Sequence, residues 1–201
     1  MAENIILILA AGNSSRLGEP KQLILIDGTT LLNKVVVEGI RSNASKVVVM
    51  LGAYSQEIKS RLPEYPGRLN TVVFPDWEKG MGATIKIGVD RILLNYPDVD
   101  NLIIATCDQP YVDYSLFNQL IEKADANTQL NIIASRYNVD SYGVPVLFKK
   151  ERLDLLLDID DTKGAKSVVL KHLAESGFVD FPQGAIDIDT RQDLEKFRYG
   201  L

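Results

Sequence analysis

The sequence predicts an α/β protein, a mainly parallel sheet with helices on both faces. Three observations lead there. Short apolar runs without polar alternation recur along the chain, as strands buried on both faces require. Stretches with apolar residues at i, i+3, i+4 and i+7 lie between them. No linker, repeat or charge block divides the 201 residues. The chain therefore reads as one domain over residues 1–201, long enough to bury a core.

In chain order, Ile5 to Leu9 is the first buried strand. Leu32, Val35, Val36, Gly39 and Ile40 then share one face of a helix. Val47 to Leu51 is a second buried strand and Val72 to Phe74 a shorter one. Ile85, Gly88, Val89 and Ile92 line a second helix face. Leu102 to Ala105 is the next strand, and Leu116, Leu120 and Ile121 mark a further helix. Ile132 to Ala134 is a short strand. Val168 to Leu173 is an amphipathic helix carrying His172, read as a surface or helix-end residue. Ile186 to Asp189 alternates like a strand, with Asp187 and Asp189 on one face. Thr190 and Asp193 then stand in the spacing of a capping box.

Composition removes several function classes. With 22 Lys+Arg against 27 Asp+Glu the net charge is −5. This argues against a nucleic-acid partner, which needs clustered cations. One cysteine, Cys107, excludes a disulfide framework, and one histidine leaves no Cys/His zinc site. The apolar run Ile5–Ala11 is too short to span a membrane and lacks the basic flank of a signal peptide. The expectation is a cytoplasmic protein with a reduced thiol and no membrane partner.

In parallel sheets, ligands sit beyond the carboxyl ends of the strands. The first strand runs into Leu9-Ala10-Ala11-Gly12-Asn13-Ser14-Ser15-Arg16-Leu17-Gly18-Glu19-Pro20-Lys21. Small residues let backbone N–H groups approach an anion, and Arg16 and Lys21 add two cations suited to a polyphosphate. No Gly-Lys-Ser/Thr follows, and the glycines are too widely spaced for a dinucleotide fingerprint. Trp77-Glu78-Lys79-Gly80-Met81-Gly82-Ala83-Thr84 leads into a helix. Its glycines either make room for a flat ring or an anion, or form a tight turn with Trp77 in the core. Asp108 ends a buried strand, where a carboxylate holds magnesium or caps a turn. Cys107 points the other way along the strand and is read as packing.

The first loop resembles the L-A-A-G-x-S-x-R-M-G-x-x-K signature of the MobA-like nucleotidyltransferases, with Leu17 in place of methionine. Trp77 to Ile85, Cys107-Asp108-Gln109-Pro110 and Asp187-Ile188-Asp189-Thr190 match further family segments. Within the family the chain is most similar to the molybdenum cofactor cytidylyltransferases. The resemblance implies a Rossmann-like three-layer sandwich of the nucleotide-diphospho-sugar transferase type. It implies a nucleotide site formed by Ala10, Ala11, Gly12, Asn13, Ser14, Arg16 and Lys21 with Gly80, Gly82 and Ala83. Arg16, Lys21 and Asp108 are the implied catalytic residues, and Mg2+ is the implied cofactor, held by Asp108 and a second acid. Asp189 is taken over Asp187 because it lies nearer the strand's carboxyl end.

The implied reaction moves a nucleoside monophosphate from a triphosphate, CTP rather than GTP, to a phosphate-bearing acceptor such as molybdopterin. A molybdoenzyme would then receive the product. Ser141 to Phe148 and Asp160 to Lys166 resemble acceptor-side segments. There Val144 stands for a histidine, Asp160 for a glycine and Lys166 for an arginine. Two other readings stay open: a sugar phosphate or other small phosphate as acceptor, and a delivery factor that binds without turnover.

Overall fold

The structure is a computed structural model, and residues 2–200 are described. Sixteen strands and α-helices follow in order: β1 (Glu3–Ala10), β2 (Leu25–Ile26), β3 (Thr29–Thr30), α1 (Leu31–Arg41), β4 (Lys46–Leu51), α2 (Ser55–Ser60), β5 (Leu69–Val73), α3 (Met81–Asn95), β6 (Val99–Thr106), α4 (Tyr114–Ala126), β7 (Ile132–Asn138), β8 (Ser141–Lys149), α5 (Asp154–Leu157), α6 (Lys166–Lys171), β9 (Ser176–Asp180) and α7 (Arg191–Tyr199). Seven strands form one sheet in the order β5-β4-β1-β6-β8-β7-β9. Only β8 runs against its neighbours β6 and β7; the other pairings are parallel.

The apolar runs form central strands because both of their faces are covered. β1 shows it residue by residue. Ile6, Ile8 and Ala10 face a layer in which α1 contributes Val35 and Val36 and α4 contributes Phe117 and Leu120. Ile5, Leu7 and Leu9 face the opposite layer, with Ile85, Val89 and Ile92 of α3 and Val168 and Val169 of α6. The period-two alternation of a strand thus feeds two cores at once. A third, smaller cluster joins Leu17, Ile24, Ile26 and Leu31 to Ile188 and Leu194. Among the described residues, no helix is long and apolar enough to cross a membrane.

The strand order positions the site. From β1 the chain steps to β4 and β5 on one side, then returns to lay β6 on the other. The loops leaving β1 and β6 therefore diverge, and a crevice opens between their carboxyl ends.

The fold also contains elements beyond the apolar runs. β9 completes one edge against β7. A small hairpin joins β2 to β3 through Asp27 and Gly28, both at positive φ, as a type I′ turn requires. The expected strand over Ile186–Asp189 is not one; these residues belong to no regular element. Ile188 is fully buried, but Ile186 is 44% exposed, so the apolar alternation does not mark a buried face. The Thr190 cap is present. Its Oγ1 accepts the Asp193 N–H at 3.2 Å, and the Asp193 carboxylate accepts the Thr190 N–H at 2.8 Å. α6 ends at Lys171, so His172 is the residue that ends the helix, with Nδ1 2.7 Å from Glu175.

Candidate active site

The loop after β1 is held by its carbonyls. Gln22 is buried, and its Nε2 donates to the carbonyls of Ala10 at 2.9 Å and Gly12 at 2.8 Å. The intervening Ala11 carbonyl accepts the Ala53 N–H at 2.9 Å. Among the described residues, the N–H groups of Gly12, Asn13 and Ser14 meet no protein acceptor. Ser14 lies at φ 56°, in the left-handed region that anion-binding nests use. Its Oγ accepts the Lys21 N–H at 3.0 Å and ties the two ends of the loop.

Lys21 is the centre of the charge arrangement. Its Nζ donates to Asp108 Oδ2 at 2.8 Å and to Asp189 Oδ1 at 2.6 Å. Arg16 Nη2 donates to the other Asp189 oxygen, Oδ2, at 2.7 Å. The Lys21 side chain is only 16% exposed, whereas that of Arg16 is 71% exposed. Burial alone would lower the Lys21 pKa, but the Asp108 charge and the bonds to both carboxylates outweigh it and raise it above the ordinary lysine value. Burial likewise opposes ionisation of Asp189, and Lys21 and Arg16 overcome it, holding the carboxyl below its ordinary value. Asp187 is exposed. Partial desolvation, then the charges of Asp108 and Asp189, still push its carboxyl up to about 6.

The crevice is a cavity of about 340 Å³, large enough for part of a nucleotide. Ala10 to Asn13 and Lys21 form one wall, Trp77, Glu78, Gly80 and Met81 another, and Thr106 to Asp108 the end of β6. Trp77 both packs against the core and borders this cavity. Cys107 is buried, and burial followed by the Asp108 charge pushes its thiol up to about 12. It remains a thiol, which suits packing better than nucleophilic attack.

Gly80 borders the cavity, at φ 122°. A Cβ at Gly80 or Gly82 would collide with the carbonyl oxygens of Asp161 and Asp160 respectively. The Asp161 carbonyl also accepts the N–H groups of Gly82 at 2.8 Å and Ala83 at 3.2 Å. These glycines therefore seat the Asp160–Lys166 segment against the start of α3. Lys86 adds an ion pair to Asp161 at 2.8 Å. The structure thus brings Arg16, Lys21, Asp108 and Asp189 into direct contact. It places Ala10 to Asn13 and Gly80 on the cavity wall, and it directs Gly82 and Ala83 to the neighbouring loop. Gln22 was not among the sequence-derived candidates. A polar residue in a polar loop gives no sign that the fold will bury it.

The profile of the MobA-like NTP transferase domain matches residues 6–176. Nicotine blue oxidoreductase of Paenarthrobacter nicotinovorans is 30% identical over 116 residues, which is 57% of this chain and 54% of that protein. A "Probable molybdenum cofactor guanylyltransferase" of Bacillus cereus (strain B4264) is 31% identical over 121 residues, 59% of this chain and 56% of that protein. The aligned region thus spans little more than half of either relative. Among solved structures, a nucleotidyl transferase from Methanothermobacter thermautotroptrophicus superposes with a TM-score of 0.80 at 20% identity, covering 98% of this chain and 97% of that one. Rv0371c of Mycobacterium tuberculosis H37Rv, in complex with manganese, superposes at 0.75 with 20% identity and full coverage of both chains. The fold is that of the nucleotide-diphospho-sugar transferases. By the profile that covers most of its length, the chain belongs to the MobA-like NTP transferase domain family.

Proposed function

We propose that the chain is a divalent-metal-dependent nucleotidylyltransferase that moves a nucleoside monophosphate from a triphosphate to a phosphate-bearing acceptor. The observation that carries this reading is the Lys21 ammonium between Asp108 at 2.8 Å and Asp189 at 2.6 Å, beside a loop with free N–H groups. Phosphoryl transfer needs positioned cations and N–H donors more than it needs a strong base. One relative is named as an oxidoreductase. The cation–carboxylate cluster favours phosphate chemistry for this chain.

The residues fit a magnesium ion. Asp108 and Asp189 both reach one cationic centre, and carboxylate oxygens are the hard donors magnesium prefers. Among the described residues, no group of three or more His, Cys, Asp or Glu is assembled to hold an ion. Two carboxylates completed by substrate phosphates and water match the way magnesium is commonly bound. The ion's contribution would be to neutralise charge on the α-phosphate.

The protein's own groups do the rest. The Gly12, Asn13 and Ser14 N–H groups hold the phosphates, and Arg16 and Lys21 offset the charge that grows on the leaving pyrophosphate and the α-phosphate. An acceptor phosphate oxygen forms the bond to the α-phosphorus. The bond to the bridging oxygen breaks, and pyrophosphate leaves with that electron pair. The acceptor oxygen is already anionic, so no base removes a proton.

For the base, we propose CTP. Ala11 borders the cavity, and a side-chain methyl at this position would narrow the space open to a base. One methyl is worth only about 1 kcal/mol. The guanylyltransferase name of the Bacillus cereus relative favours GTP as the second reading. That same name supports a molybdopterin bearing a terminal phosphate as acceptor, with a molybdoenzyme downstream. Pyrophosphate release across four triphosphates, with molybdopterin and with sugar phosphates, tests this reading. CTP with molybdopterin should give the highest kcat/KM. Preference for GTP reverses the base, and turnover only with a sugar phosphate removes the pterin.

A further inference from the structure

The two carboxylates read as metal ligands are already occupied by the protein's own cations. Asp189 uses Oδ1 for Lys21 and Oδ2 for Arg16, and Asp108 uses Oδ2 for Lys21. Lys21 therefore stands where a divalent cation would have to approach both acids. We propose that Lys21 and Arg16 are built-in counter-ions that hold a divalent cation off Asp108 and Asp189. A triphosphate draws both cations away and so opens the pair. The inference rests on reading Asp108 and Asp189 as metal ligands and the loop after β1 as the phosphate cradle.

Electrostatics and geometry lead to this exchange. A dication within coordination distance of both carboxylates would lie within a few ångströms of the ammonium, and that repulsion is weakly screened in a partly buried site. Lys21 is too enclosed to be displaced freely into water, so it leaves only for another anion. The free N–H groups of Gly12, Asn13 and Ser14 mark where that anion sits. The Lys21 main chain is fixed beside them by its bond to Ser14 Oγ. The ammonium can thus turn from carboxylates to phosphate while its backbone stays in place. Arg16 belongs to the same loop, and its exposed side chain can follow. Each phosphate contact that these cations gain frees a carboxylate oxygen. Nucleotide and metal then favour each other's binding, and the coupling is reciprocal.

Binding measurements without turnover test the exchange from both sides. The first probe is Mn2+ alone, titrated into nucleotide-free protein and followed by electron paramagnetic resonance. Lys21→Met should bind Mn2+ on the order of 5–150-fold more tightly than wild type, the usual range of coupling between sites. Arg16→Ala should shift affinity in the same direction by less. Asp108→Asn in the Lys21→Met background should abolish the gain, which places the ion. Equal affinity in wild type and Lys21→Met, both lost with Asp108→Asn, keeps the metal ligands and overturns the counter-ion role. No Mn2+ binding in either protein overturns the metal reading, and the exchange with it. Lys21→Gln provides the same comparison if Lys21→Met fails to fold.

The second probe is CTP in the presence of EDTA. Asp189→Asn should bind CTP more tightly than wild type, because Lys21 and Arg16 no longer need to leave a carboxylate. The gain should shrink in a Lys21→Met background. A gain of the same size there is simple charge repulsion and overturns the exchange, as does weaker CTP binding by Asp189→Asn.

Discussion

Ile188 donates its backbone N–H to the carbonyl oxygen of Asp108 at 2.9 Å. That bond fastens the segment before α7 to the end of β6, and it delivers Asp189 to the same ammonium that Asp108 binds. The Ile188 side chain adds a second fastening, because it is buried with Leu17 and Leu194. The loop after β1, the end of β6 and the last helix are thereby joined at one point.

Leu17→Ala should therefore loosen both stability and the site. A leucine 1% exposed that is cut to alanine costs about 2–4 kcal/mol. The urea midpoint should fall with little change in slope, and Asp189 should lose its fixed position, so kcat should drop as well. An unchanged midpoint would show that this cluster does not anchor the loop.

Lys21→Ala should lower turnover by well over tenfold, since a charge-assisted contact that strengthens in the transition state is worth about 2–4 kcal/mol. Steady-state pyrophosphate release measures it. Near-normal kcat in a folded variant would remove Lys21 from the chemistry.

Asp108→Asn and Asp189→Asn should each reduce metal-dependent turnover to near background. The double variant should be little worse than either, because residues that act on one ion are not additive. Asp187→Asn should retain most activity, since Lys21 bridges Asp108 to Asp189. The reverse order of damage would make Asp187 the functional acid.

Gln22 should act through the loop. Gln22→Met keeps the volume but leaves the Ala10 and Gly12 carbonyls without their shared donor, a loss of about 1–3 kcal/mol. KM for the triphosphate should rise roughly tenfold while kcat falls less. Equal losses in kcat alone would place Gln22 elsewhere in the mechanism.

Away from the site, Glu175 gives a pH signature. Arg152 first, then His172, hold its carboxyl below the ordinary value of 4.5, against the effect of burial. A carboxyl lowered in the folded state contributes stability above its unfolded pKa and loses it as the pH falls through the folded one. Glu175→Gln should lower Tm at neutral pH, and the difference should shrink and then vanish as the pH falls below the ordinary carboxylate range. A difference that persists in acid would assign the effect to packing.

The central strands were legible because each is covered on both faces, so burial writes itself as an unbroken apolar run. The α1 face was legible for the same reason: Leu32, Val35, Val36, Gly39 and Ile40 are all buried. Ile186 to Asp189 misled because its alternation imitates a strand. Only Ile188 is buried, against Leu17 and Leu194 rather than in the sheet. β9, with the sequence Ser-Gly-Phe-Val-Asp, is too short and mixed to stand out before β7 is there to pair with it. At the site, the loop's small residues and cations were legible by their position after a buried strand. The role of Gln22 was not, because its burial depends on the loop closing over it. The close fit of Gly80 and Gly82 to Asp160 and Asp161 likewise depends on a segment far away in sequence.

Transfer of label from α-32P-CTP tests the central claim most directly. With magnesium and a phosphate-bearing acceptor such as molybdopterin, the label should move to the acceptor, with one pyrophosphate released for each transfer. Asp108→Asn should abolish both. Release of inorganic phosphate without transfer of the α-label, or label transfer undiminished in Asp108→Asn, would contradict nucleotidyl transfer at the Lys21–Asp108–Asp189 cluster.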